Sequence, residues 1–449
     1  MLHIKLDKPV TYLVETVLDF IFVVFHCNYM KVFKFGGASV KDAEAIRNLG
    51  KILQLASIDK PSIVVVSAMG KTTNALEEVV DDFYSGNGAA STKLKSIRDQ
   101  HLSIAKSLQL NELLDNGILS DTFVEAEWLI EDEIEDPYDY IYDQIVAIGE
   151  LLSSRLVHAY LKSLGIEATW IDARDIIKTD DVYRSGNINW QRTSQKVSDR
   201  LGPMLDKGKM VITAGFIGST LENNTITLGR EGSDFTGAIL AAIFKADALT
   251  VWKDVPGIMT ADPHRFADAE LLPEIDYLEA IEMTFYGAKV IHPKTIKPLM
   301  DNQIPLYVKS FKRPELAGTV VNAFPDLKYP TIRVVLEHQT LLQLKTLDST
   351  FIFEDHLSAV FEQATRHKIR IQMLENLALN LSLVIQAAGE HIREFRDELG
   401  KEFEIRQIDD LELYTIRHYH PNTVAEIKNG RTVYIEEYNA TTAQLLLGK

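Results

Sequence analysis

The sequence contains a single cysteine, Cys27, among its 449 residues. One cysteine excludes a disulfide framework and any metal site built from several cysteines. Basic residues are also scarce, because 47 lysines and arginines stand against 64 aspartates and glutamates, a formal net charge of −17. Nonspecific binding to nucleic acid or to an anionic membrane is therefore not expected. An acidic protein that handles an anionic substrate must concentrate positive charge locally, which directs attention to lysines and arginines near glycine turns.

The sequence also lacks a convincing membrane-spanning run. The apolar segment at residues 12–27 is too short for a comfortable span, and it includes Glu15 and Asp19. Its length fits the core of a signal peptide, but no A-x-A-like cleavage site follows it. From Met30 the chain reads MKVFKFGGASV, a strand pattern that leads directly into a turn. We therefore expect residues 1–29 to be a spurious or disordered extension, with an appended amphipathic helix as the alternative, and the protein to be cytoplasmic.

The length of the chain predicts two or three domains. From residue 30 to about residue 310, strand and helix patterns alternate, which indicates an α/β layer fold with a mainly parallel sheet. The predicted strands are KVFKF (31–35), SIVVVSA (62–68), ATWID (168–172), KMVITAG (209–215), NTITL (224–228), ALTVW (248–252) and PLYVKS (305–310). Turns rich in glycine and proline follow several of these strands at their carboxyl ends, where open α/β sheets bind ligands.

The pattern changes at residues 312–330, which contain three prolines and no long helix, and we predict a domain boundary there. Beyond it, shorter strands accompany one clear helix in a β-α-β-β order that repeats weakly. Such βαββαβ units bind a regulatory ligand or dimerise, but the fold alone does not say which. Between residues 411 and 449 we find no convincing helix, so we expect a second unit of this kind to be shortened.

Two glycine turns carry the most suggestive charges. In FKFGGASV, Lys34 lies at the end of a buried-looking strand, one residue away from Gly36 and Gly37. A buried lysine is costly unless it meets an anion, although an edge-strand lysine in solvent is the alternative. In TLGREGSDFTG, Arg230 can grip a carboxylate with two hydrogen bonds, and Ser233 and Asp234 occupy a predicted N-cap position.

The stretch SAMGKTTNAL (67–76) ends in GKT, as a P-loop does, but the spacing excludes a P-loop because Val65 occupies the position of the required first glycine. A strand end with Ser67 and Thr73 remains, suited to a small ligand, while helix capping by a threonine is the alternative. In AIGELLSSRL, Glu150 follows a glycine inside a helix pattern. It is either a surface residue, which periodicity favours, or a recogniser of a cation such as an α-ammonium group.

Two later segments complete the set of candidates. VWKDVPGIMTADP (251–263) places Lys253 and Asp254 at a strand end before a Pro-Gly turn, an arrangement that can embrace a nucleoside. YGAKVIHPKT (286–295) carries Lys289, for which a solvated helix lysine is the alternative.

Six of these motifs occur in one order: KFGG, SAMGKTTN, GELLSS, TLGREGSD, WKDVPGIMTADP and GAKVIHP. Together they resemble the aspartate kinases (aspartokinases) of the amino acid kinase family, over nearly all of the chain from Met30 to about Val320. The resemblance implies a three-layer α/β sandwich with a mainly parallel central sheet at residues 30–320. It also implies a small C-terminal α+β region of the ACT (βαββαβ) type at residues 331–449.

The implied reaction is transfer of the γ-phosphoryl group of ATP to the β-carboxylate of L-aspartate, which gives 4-phospho-L-aspartate. This step leads to lysine, threonine, methionine and diaminopimelate. Mg²⁺ is expected to be carried by ATP, with no metal site on the protein. The resemblance implies three sets of residues: Lys34, Asp234 and Lys289 for catalysis; Ser67, Thr73, Glu150, Arg230 and Ser233 for aspartate; and Lys34, Gly36, Gly37, Lys253, Asp254, Met259, His264 and Lys289 for ATP.

The sequence departs from the family pattern in places. The arginine turn usually reads GRGGSD, and Glu231 replaces its middle glycine, which would strain the turn if that residue adopts a positive φ. Ala38 stands where threonine or serine is common, and His264 where arginine is common. In the C-terminal region, Asp348, Ser349 and Phe351 are candidates for binding an inhibitory amino acid, lysine or threonine, and we expect a homodimer formed through this region.

Two other functions are possible on this fold. One is a kinase for glutamate, acetylglutamate or a nucleotide monophosphate, which would not be expected to combine GELLSS, WKDVPG and an ACT-like tail. The other is a catalytically silent amino acid sensor. The presence of Lys34, Glu150, Arg230, Asp234 and Lys289 argues against a sensor, whereas Glu231 is its best support.

Overall fold

The computed structural model describes residues 30–57, 61–131, 133–288, 291–348, 350–386 and 390–448. Our expectations for residues 1–29, for Lys289 and for Ser349 lie outside these ranges. Within them, no helix combines the length and the apolar character that crossing a bilayer requires. The described chain divides into two compact units. The first comprises residues up to Pro256 together with Lys294–Asn322, and the second comprises Gly257–Pro293 together with the residues from Ala323 onward.

The first unit is built on a mainly parallel sheet. Its strands are β1 (Lys31–Phe35), β2 (Ser62–Val66), β3 (Ala168–Ile171), β4 (Met210–Ala214), β7 (Ala248–Lys253), β9 (Leu306–Ser310) and β10 (Thr319–Asn322), with β5 (Ile217–Ser219) and β6 (Thr225–Thr227) forming a separate hairpin. The strands follow the order β3-β4-β2-β1-β7-β9-β10, and the pairs from β3 to β9 are parallel. β10 pairs with β9 in the antiparallel sense. β1 therefore lies in the interior of the sheet.

Helices cover both faces of this sheet. They are α1 (Ala43–Ser57), α2 (Thr72–Ser85), α3 (Ala90–Ser107), α4 (Asn111–Asp115), α5 (Ile118–Glu131), α6 (Tyr138–Val146), α7 (Ile148–Ser163), α8 (Ala173–Ile176), α9 (Trp190–Leu205), α10 (Gly232–Phe244) and α12 (Pro293–Asp301). Side chains alternate across β1 as in any strand. Phe33 and Phe35 join the large core formed with α1 to α7. Lys34 faces the opposite side, where its Cβ lies near Gly237 of α10.

The parallel register brings the carboxyl ends of four strands to one edge of the sheet. Phe35 pairs with Val66 and with Trp252, and Val66 pairs with Ala214. The turns that follow these strands are held together by backbone hydrogen bonds: the Ser67 N–H donates to the Phe35 carbonyl at 3.1 Å and the Gly36 N–H donates to the Trp252 carbonyl at 3.4 Å. The glycine turns identified in the sequence therefore meet at one place, as the rule for ligands in open α/β sheets predicts.

The second unit contains a six-stranded antiparallel sheet. Its elements are β8 (Glu274–Asp276), α11 (Tyr277–Phe285), β11 (Ile332–Thr346), α13 (Glu354–Arg366), β12 (Ile371–Asn376), β13 (Asn380–Ile385), α14 (Glu390–Leu399), β14 (Phe403–Arg417), α15 (Pro421–Lys428), β15 (Val433–Tyr438) and β16 (Thr442–Leu447). The sheet order is β12-β13-β11-β14-β16-β15. The long strands β11 and β14 change register between Leu336 and Leu341, so each contributes to two halves of the sheet. The prediction of an α/β sandwich followed by an ACT-like region is confirmed.

The two halves of this sheet differ in their helices. The first half packs α13 and α14 against Leu342, Leu383 and neighbouring side chains, in the predicted βαββαβ order. The second half has α15, so the prediction of no helix between residues 411 and 449 is wrong. α15 has only eight residues, and Val424 is its one buried side chain. Its sequence therefore shows little of the apolar periodicity by which a helix is recognised. Pro421 at its first turn and the His420 ring, which accepts from the Asn422 N–H at 3.3 Å, start the helix instead.

Candidate active site

Two lysines and one aspartate form a buried cluster where β1, β7 and α10 meet. The Nζ atom of Lys34 lies 2.5 Å from Oδ1 of Asp234, and the Nζ atom of Lys253 lies 3.0 Å from Oδ2. Asp234 is 1% exposed. Because β1 pairs with β2 on one side and with β7 on the other, the alternative of an edge-strand lysine in solvent is wrong.

The charges in this cluster stabilise one another. Burial alone would raise the pKa of Asp234, but the two ammonium groups outweigh it and lower that pKa. Burial alone would lower the pKa of Lys253, and the carboxylates of Asp234 and Glu231 raise it instead. Lys34, Lys253 and Asp234 together carry one net positive charge, with Glu231 as the neighbouring carboxylate 3.9 Å from Lys253. The two ammonium groups at the carboxyl ends of the strands suit an anionic phosphate.

The turn after β1 requires glycine for close packing. A Cβ atom on Gly37 would lie 2.9 Å from the Ala68 carbonyl oxygen and 3.0 Å from that of Gly70. The Gly70 N–H in turn donates to the Gly37 carbonyl at 3.0 Å. Gly36 lies close to the lysine cluster, because its Cβ position is 3.5 Å from Nζ of Lys34. The KFGG and SAMGK turns are thus one structural unit, and a phosphate could approach its backbone closely.

Glu150 is the second buried carboxylate of the region. It lies in the first turn of α7 and is 3% exposed, so the prediction of a surface residue from periodicity is wrong. Its Oε1 atom accepts a hydrogen bond from the Ala68 N–H at 3.3 Å, while Oε2 is buried without a hydrogen-bond partner among the described residues. Burial raises the pKa of Glu150 to about 8, against the opposing charge of Lys34. A bound cation would supply the missing partner.

Ser67 directly precedes Ala68, whose N–H bonds to Glu150, and Thr73 follows five residues after Ala68. Ser67 is half-buried at the end of β2, and its carbonyl accepts from Ser153 Oγ of α7 at 2.6 Å. Thr73 is half-buried in the first turn of α2. The alternative of helix capping by a threonine is wrong, because the N-cap is Lys71 and makes no side-chain capping bond.

The helix that follows the GREGSD turn begins earlier than the sequence pattern predicts. α10 begins at Gly232, so Ser233 and Asp234 lie inside the first turn of the helix rather than at the N-cap. Glu231 is the N-cap residue and has φ 54°, which fulfils the condition for strain stated above. Its carboxylate lies 3.9 Å from Nζ of Lys253, and burial raises its pKa.

Arg230 and Ser233 have contrasting surroundings in this turn. Arg230 is exposed and makes no ion pair or hydrogen bond with the described residues, which leaves its guanidinium group available to a ligand. Ser233 is buried against the turn after β4, because a Cβ atom on Gly215 would lie 2.6 Å from the Ser233 Cβ. The absence of a side chain at Gly215 is therefore what allows α10 to approach the strand ends.

Sequence reasoning missed Asp143 of α6. This buried carboxylate accepts hydrogen bonds from the Arg184 N–H at 2.9 Å, the Thr227 N–H at 3.0 Å and the Thr227 hydroxyl at 2.6 Å. It therefore fixes the strand that leads into the GREGSD turn. Burial raises its pKa to about 6 in spite of these bonds. The available signal was a lone aspartate within the apolar run IYDQIV.

The remaining nucleotide candidates are divided between the units. Lys253 and Asp254 belong to the first unit, where Asp254 is exposed just after β7. Met259 and His264 belong to the second unit. Met259 forms a β-bridge with Leu271, and His264 is exposed in a turn where its N–H donates to Asp262 at 2.9 Å. The structure thus brings together Lys34, Asp234, Lys253 and the KFGG turn, with Glu150 nearby.

The regulatory candidates lie in a loop of the second unit. The carboxylate of Asp348 accepts from the N–H and the hydroxyl group of Thr350, at 3.0 and 2.7 Å. Phe351 is 57% exposed and its ring contacts that of Phe353 edge-to-face. The Ile352 N–H donates to the Ala378 carbonyl at 3.0 Å, which holds this loop beside the β12–β13 turn.

Comparison with known proteins places this architecture in a family. The family model described as "Amino acid kinase family" matches residues 30–310. Lysine-sensitive aspartokinase 3 of Escherichia coli (strain K12) is 32% identical over 368 residues, which cover 80% of this chain and 78% of the relative. The chain spans only 32% of a second relative, the chloroplastic bifunctional aspartokinase/homoserine dehydrogenase 1 of Arabidopsis thaliana, with 30% identity.

The solved structures agree with the sequence relatives. E. coli aspartokinase III, in complex with lysine and aspartate (T-state), superposes with a TM-score of 0.79 at 28% identity, covering 93% of this chain and 96% of that one. The same enzyme in complex with aspartate and ADP (R-state) gives the same values. These comparisons confirm the resemblance found in the six motifs. From its matched domain and its identity to the aspartokinases, the chain belongs to the amino acid kinase family.

Proposed function

We propose that the protein is an aspartate kinase, which transfers the γ-phosphoryl group of ATP to the β-carboxylate of L-aspartate. The observation that carries this proposal is the pairing of two unlike sites at the strand ends. The cluster of Lys34, Asp234 and Lys253 is positive and suits a phosphate, whereas Glu150 presents a buried carboxylate oxygen that suits an ammonium group. The similarity to E. coli aspartokinase III, whose structure contains aspartate and ADP, supports the same assignment.

Aspartate would be held by its charged groups. Arg230 binds a carboxylate through its exposed guanidinium group, and Glu150 receives the α-ammonium group on its unpartnered oxygen. Ser67, Thr73 and Ser233 add hydroxyl or backbone contacts around the substrate. The GREGSD turn lies at the N-terminus of α10, whose dipole adds a favourable field for an anion.

The phosphoryl group would be stabilised by the lysines. A β-carboxylate oxygen of aspartate attacks the γ-phosphorus, and the bond to the bridging β–γ oxygen breaks, so that ADP leaves and 4-phospho-L-aspartate forms. Lys34 lies where it can neutralise charge on the transferring group, Asp234 fixes the ammonium groups of Lys34 and Lys253, and Lys289 adds a further positive charge in this proposal. Such chemistry depends on positioning and electrostatics rather than on covalent catalysis.

The nucleotide would lie against the KFGG turn and the end of β7. Gly36, Gly37, Lys253 and Asp254 are the proposed contacts in the first unit. Met259 and His264, which the resemblance also assigns to ATP, belong to the second unit and stay predictions. We propose that Mg²⁺ arrives bound to ATP, where it neutralises phosphate charge. Among the described residues, no three histidine, cysteine or acidic side chains group together as a metal site would require.

The product is the precursor from which lysine, threonine, methionine and diaminopimelate are made, and we propose that the protein serves this biosynthetic step in the cytoplasm. The ACT-like region would bind lysine or threonine near Asp348, Ser349 and Phe351. E. coli aspartokinase III has been solved with lysine, which supports lysine as the first effector to test. If neither amino acid at millimolar concentration inhibits the enzyme or shifts its melting temperature, this regulatory proposal fails.

A homodimer through the ACT-like region is proposed on its exposed apolar side chains. Leu347, Phe351, Phe353, Phe361 and Leu377 are each at least half exposed. The Ile352–Ala378 hydrogen bond brings the loop with the two phenylalanines beside Leu377. Apolar groups in this density on a surface are typical of a protein interface. Light scattering of the purified protein should give about twice the chain mass, and Phe351→Ser should shift it toward the monomer.

The activity itself is tested with hydroxylamine, which traps an acyl phosphate as a coloured hydroxamate. Purified protein with MgATP and aspartate should form aspartyl hydroxamate, and the same protein with glutamate should not. Product with glutamate alone would overturn the proposed substrate. No product with either amino acid would instead support the silent sensor, for which the strained Glu231 turn is the one favourable observation.

A further inference from the structure

A cavity away from the strand ends lies at the outer edge of the first unit. Its volume is about 790 Å³, within the range of sites that hold small organic molecules. One wall is the edge strand β3, with Trp170, and another is α7. Arg155, His158 and Lys162 line the cavity at helical spacing, so one face of α7 points toward it. Leu113, Ile118 and Ile166 give the remainder an apolar character.

Arg155 is the unusual member of this lining. Its guanidinium carbon lies 4.4 Å from the centre of the Trp170 ring, and the indole N–H of Trp170 donates to Ser154 Oγ at 3.0 Å, which fixes the ring. The Nε atom of Arg155 is buried and has no hydrogen-bond partner among the described residues. The nearby carboxylate of Asp172 is occupied by Arg174, at 2.8 Å. Nearby carboxylates attract this guanidinium group from a distance, but burial outweighs them and lowers the pKa of Arg155, so an anion in direct contact would stabilise it.

The other basic groups of the cavity already have partners. Lys162 bonds to Glu112 at 2.9 Å, and Lys209 lies 3.8 Å from Glu167. The Nε2 atom of His158 lies 3.1 Å from the Ala168 carbonyl oxygen, and burial lowers the pKa of this histidine, which favours its neutral form. Among the described residues that line the cavity, Arg155 is therefore the cation that no carboxylate contacts.

We propose that this cavity binds a small organic anion, a carboxylate or phosphate ester with a compact apolar body. Arg155 holds the anionic group, and Leu113, Ile118 and Ile166 contact the apolar body. The site is separate from the proposed aspartate site, although both use α7: Glu150 lies in the first turn of this helix and Arg155 five residues later. Nothing in the proposed kinase reaction requires Arg155 or Trp170.

Calorimetry on the full-length protein tests this proposal with two probes, benzoate and phenyl phosphate, which share an aromatic body and differ in the anionic group. Benzamide is the neutral control of the same shape. We expect at least one of the anions to bind with a millimolar or tighter Kd and benzamide to bind at least tenfold more weakly, because it lacks the charge. Binding of one anion alone identifies whether the site prefers a carboxylate or a phosphate.

Variants then locate the binding. Arg155→Met should weaken the bound anion at least tenfold, Arg155→Lys should retain part of the affinity, and Arg192→Met, an exposed arginine of α9 outside the cavity, should change nothing. Circular dichroism and the melting temperature establish that each variant is folded. If Arg155→Met binds as tightly as the unmodified protein, or if neither anion binds at about 10 mM, the proposal is wrong.

Discussion

Asp234 and Glu150 are both carboxylates of the candidate active site and are 1% and 3% exposed, but their pKa values are shifted in opposite directions. Asp234 contacts two lysine side chains, whose charges lower its pKa in spite of burial. Glu150 has one N–H donor and one oxygen without a partner, and burial raises its pKa to about 8. Burial is the same for both, so the partners decide the outcome.

This difference separates two roles. Asp234 already has its cations, so its proposed role is to hold the lysines in place for phosphoryl transfer. Glu150 lacks a cation, so it is suited to receive one from the substrate. A carboxylate whose charge is unfavourable until a ligand arrives costs stability in the free protein, and that cost is a common property of binding sites.

The largest effect on activity is expected from a substitution in the cluster of Lys34, Asp234 and Lys253. Lys34→Ala should lower kcat about 100- to 1,000-fold, because one preformed charge on the transferring group is removed. Lys31→Ala, three residues earlier on the same strand and half-buried, is the matched control and should retain activity. Hydroxamate assays at saturating ATP and aspartate measure both. Equal losses in the two variants would indicate damage to β1 rather than a catalytic role.

Arg230, which is exposed and makes no ion pair or hydrogen bond with the residues that the structure describes, extends the comparison to a cationic side chain. Arg230→Ala should raise the KM for aspartate by roughly 10- to 100-fold, the value of a charge-assisted hydrogen bond, and leave the KM for ATP nearly unchanged. Arg192→Ala is the control, an exposed arginine of α9. An unchanged KM for aspartate would remove Arg230 from the substrate site.

The raised pKa of Glu150 predicts that the KM for aspartate depends on pH. If the α-ammonium group of aspartate binds ionised Glu150, the KM for aspartate should fall as the pH rises from 6.5 to 8.5, by about 25-fold for a pKa of about 8. Glu150→Gln should raise the KM and flatten this profile, while Glu222→Gln, an exposed control, should leave it as it was. A profile that keeps its slope in Glu150→Gln would assign the titration to another group.

Glu150 and Asp234 should also make the free energy of unfolding depend on pH, in opposite directions. The pKa of Glu150 is raised on folding, so its contribution to stability is lost as the pH rises from about 4.5 to about 8. Glu150→Gln should therefore stabilise the protein at pH 8 by roughly 3 to 4 kcal/mol more than at pH 5, on the order of several degrees in Tm. The pKa of Asp234 is lowered, so Asp234→Asn should destabilise the protein most at neutral pH and less as the pH falls below about 4. Thermal melts at several pH values decide between these signs.

Much of this site could be predicted from the sequence, and the remainder could not for physical reasons. The strand–turn pattern of KFGG and the order of six motifs were sufficient for the fold, and β1 spans the predicted residues. Burial of Glu150 was missed because α7 is covered on nearly all sides, so apolar periodicity marks no surface face. Asp143 was missed because its partners, Arg184 and Thr227, are distant in the chain.

The N-cap of α10 was misplaced for a related reason. Serine and aspartate are favoured N-cap residues, and the pattern therefore pointed to Ser233 and Asp234. In the structure these side chains make other contacts: Asp234 forms ion pairs with two lysines, and Ser233 packs against Gly215. Tertiary contacts thus override the local preference, and Glu231 is left at a position with φ 54°.

Substitutions of Glu231 are expected to have the smallest effect. Two of them distinguish the contribution of its charge from that of backbone strain. Glu231→Gln removes the charge and keeps a side chain at the positive φ, whereas Glu231→Gly removes both. If the charge matters, both variants should lower the KM for aspartate by about threefold, since one negative charge near Arg230 and Lys253 is removed in a partly screened site. Only Glu231→Gly should relieve the backbone, by about 1 kcal/mol, and the greater freedom of glycine in the unfolded chain offsets most of this gain. Aspartate kinetics measure the effect of the charge, and urea titrations measure the effect of the backbone strain independently.

A loss of kcat in both variants, with no change in KM, would instead show that the Glu231–Lys253 contact supports the lysine cluster. Glu231 would then belong, like Asp234, to the groups that hold the lysines in place.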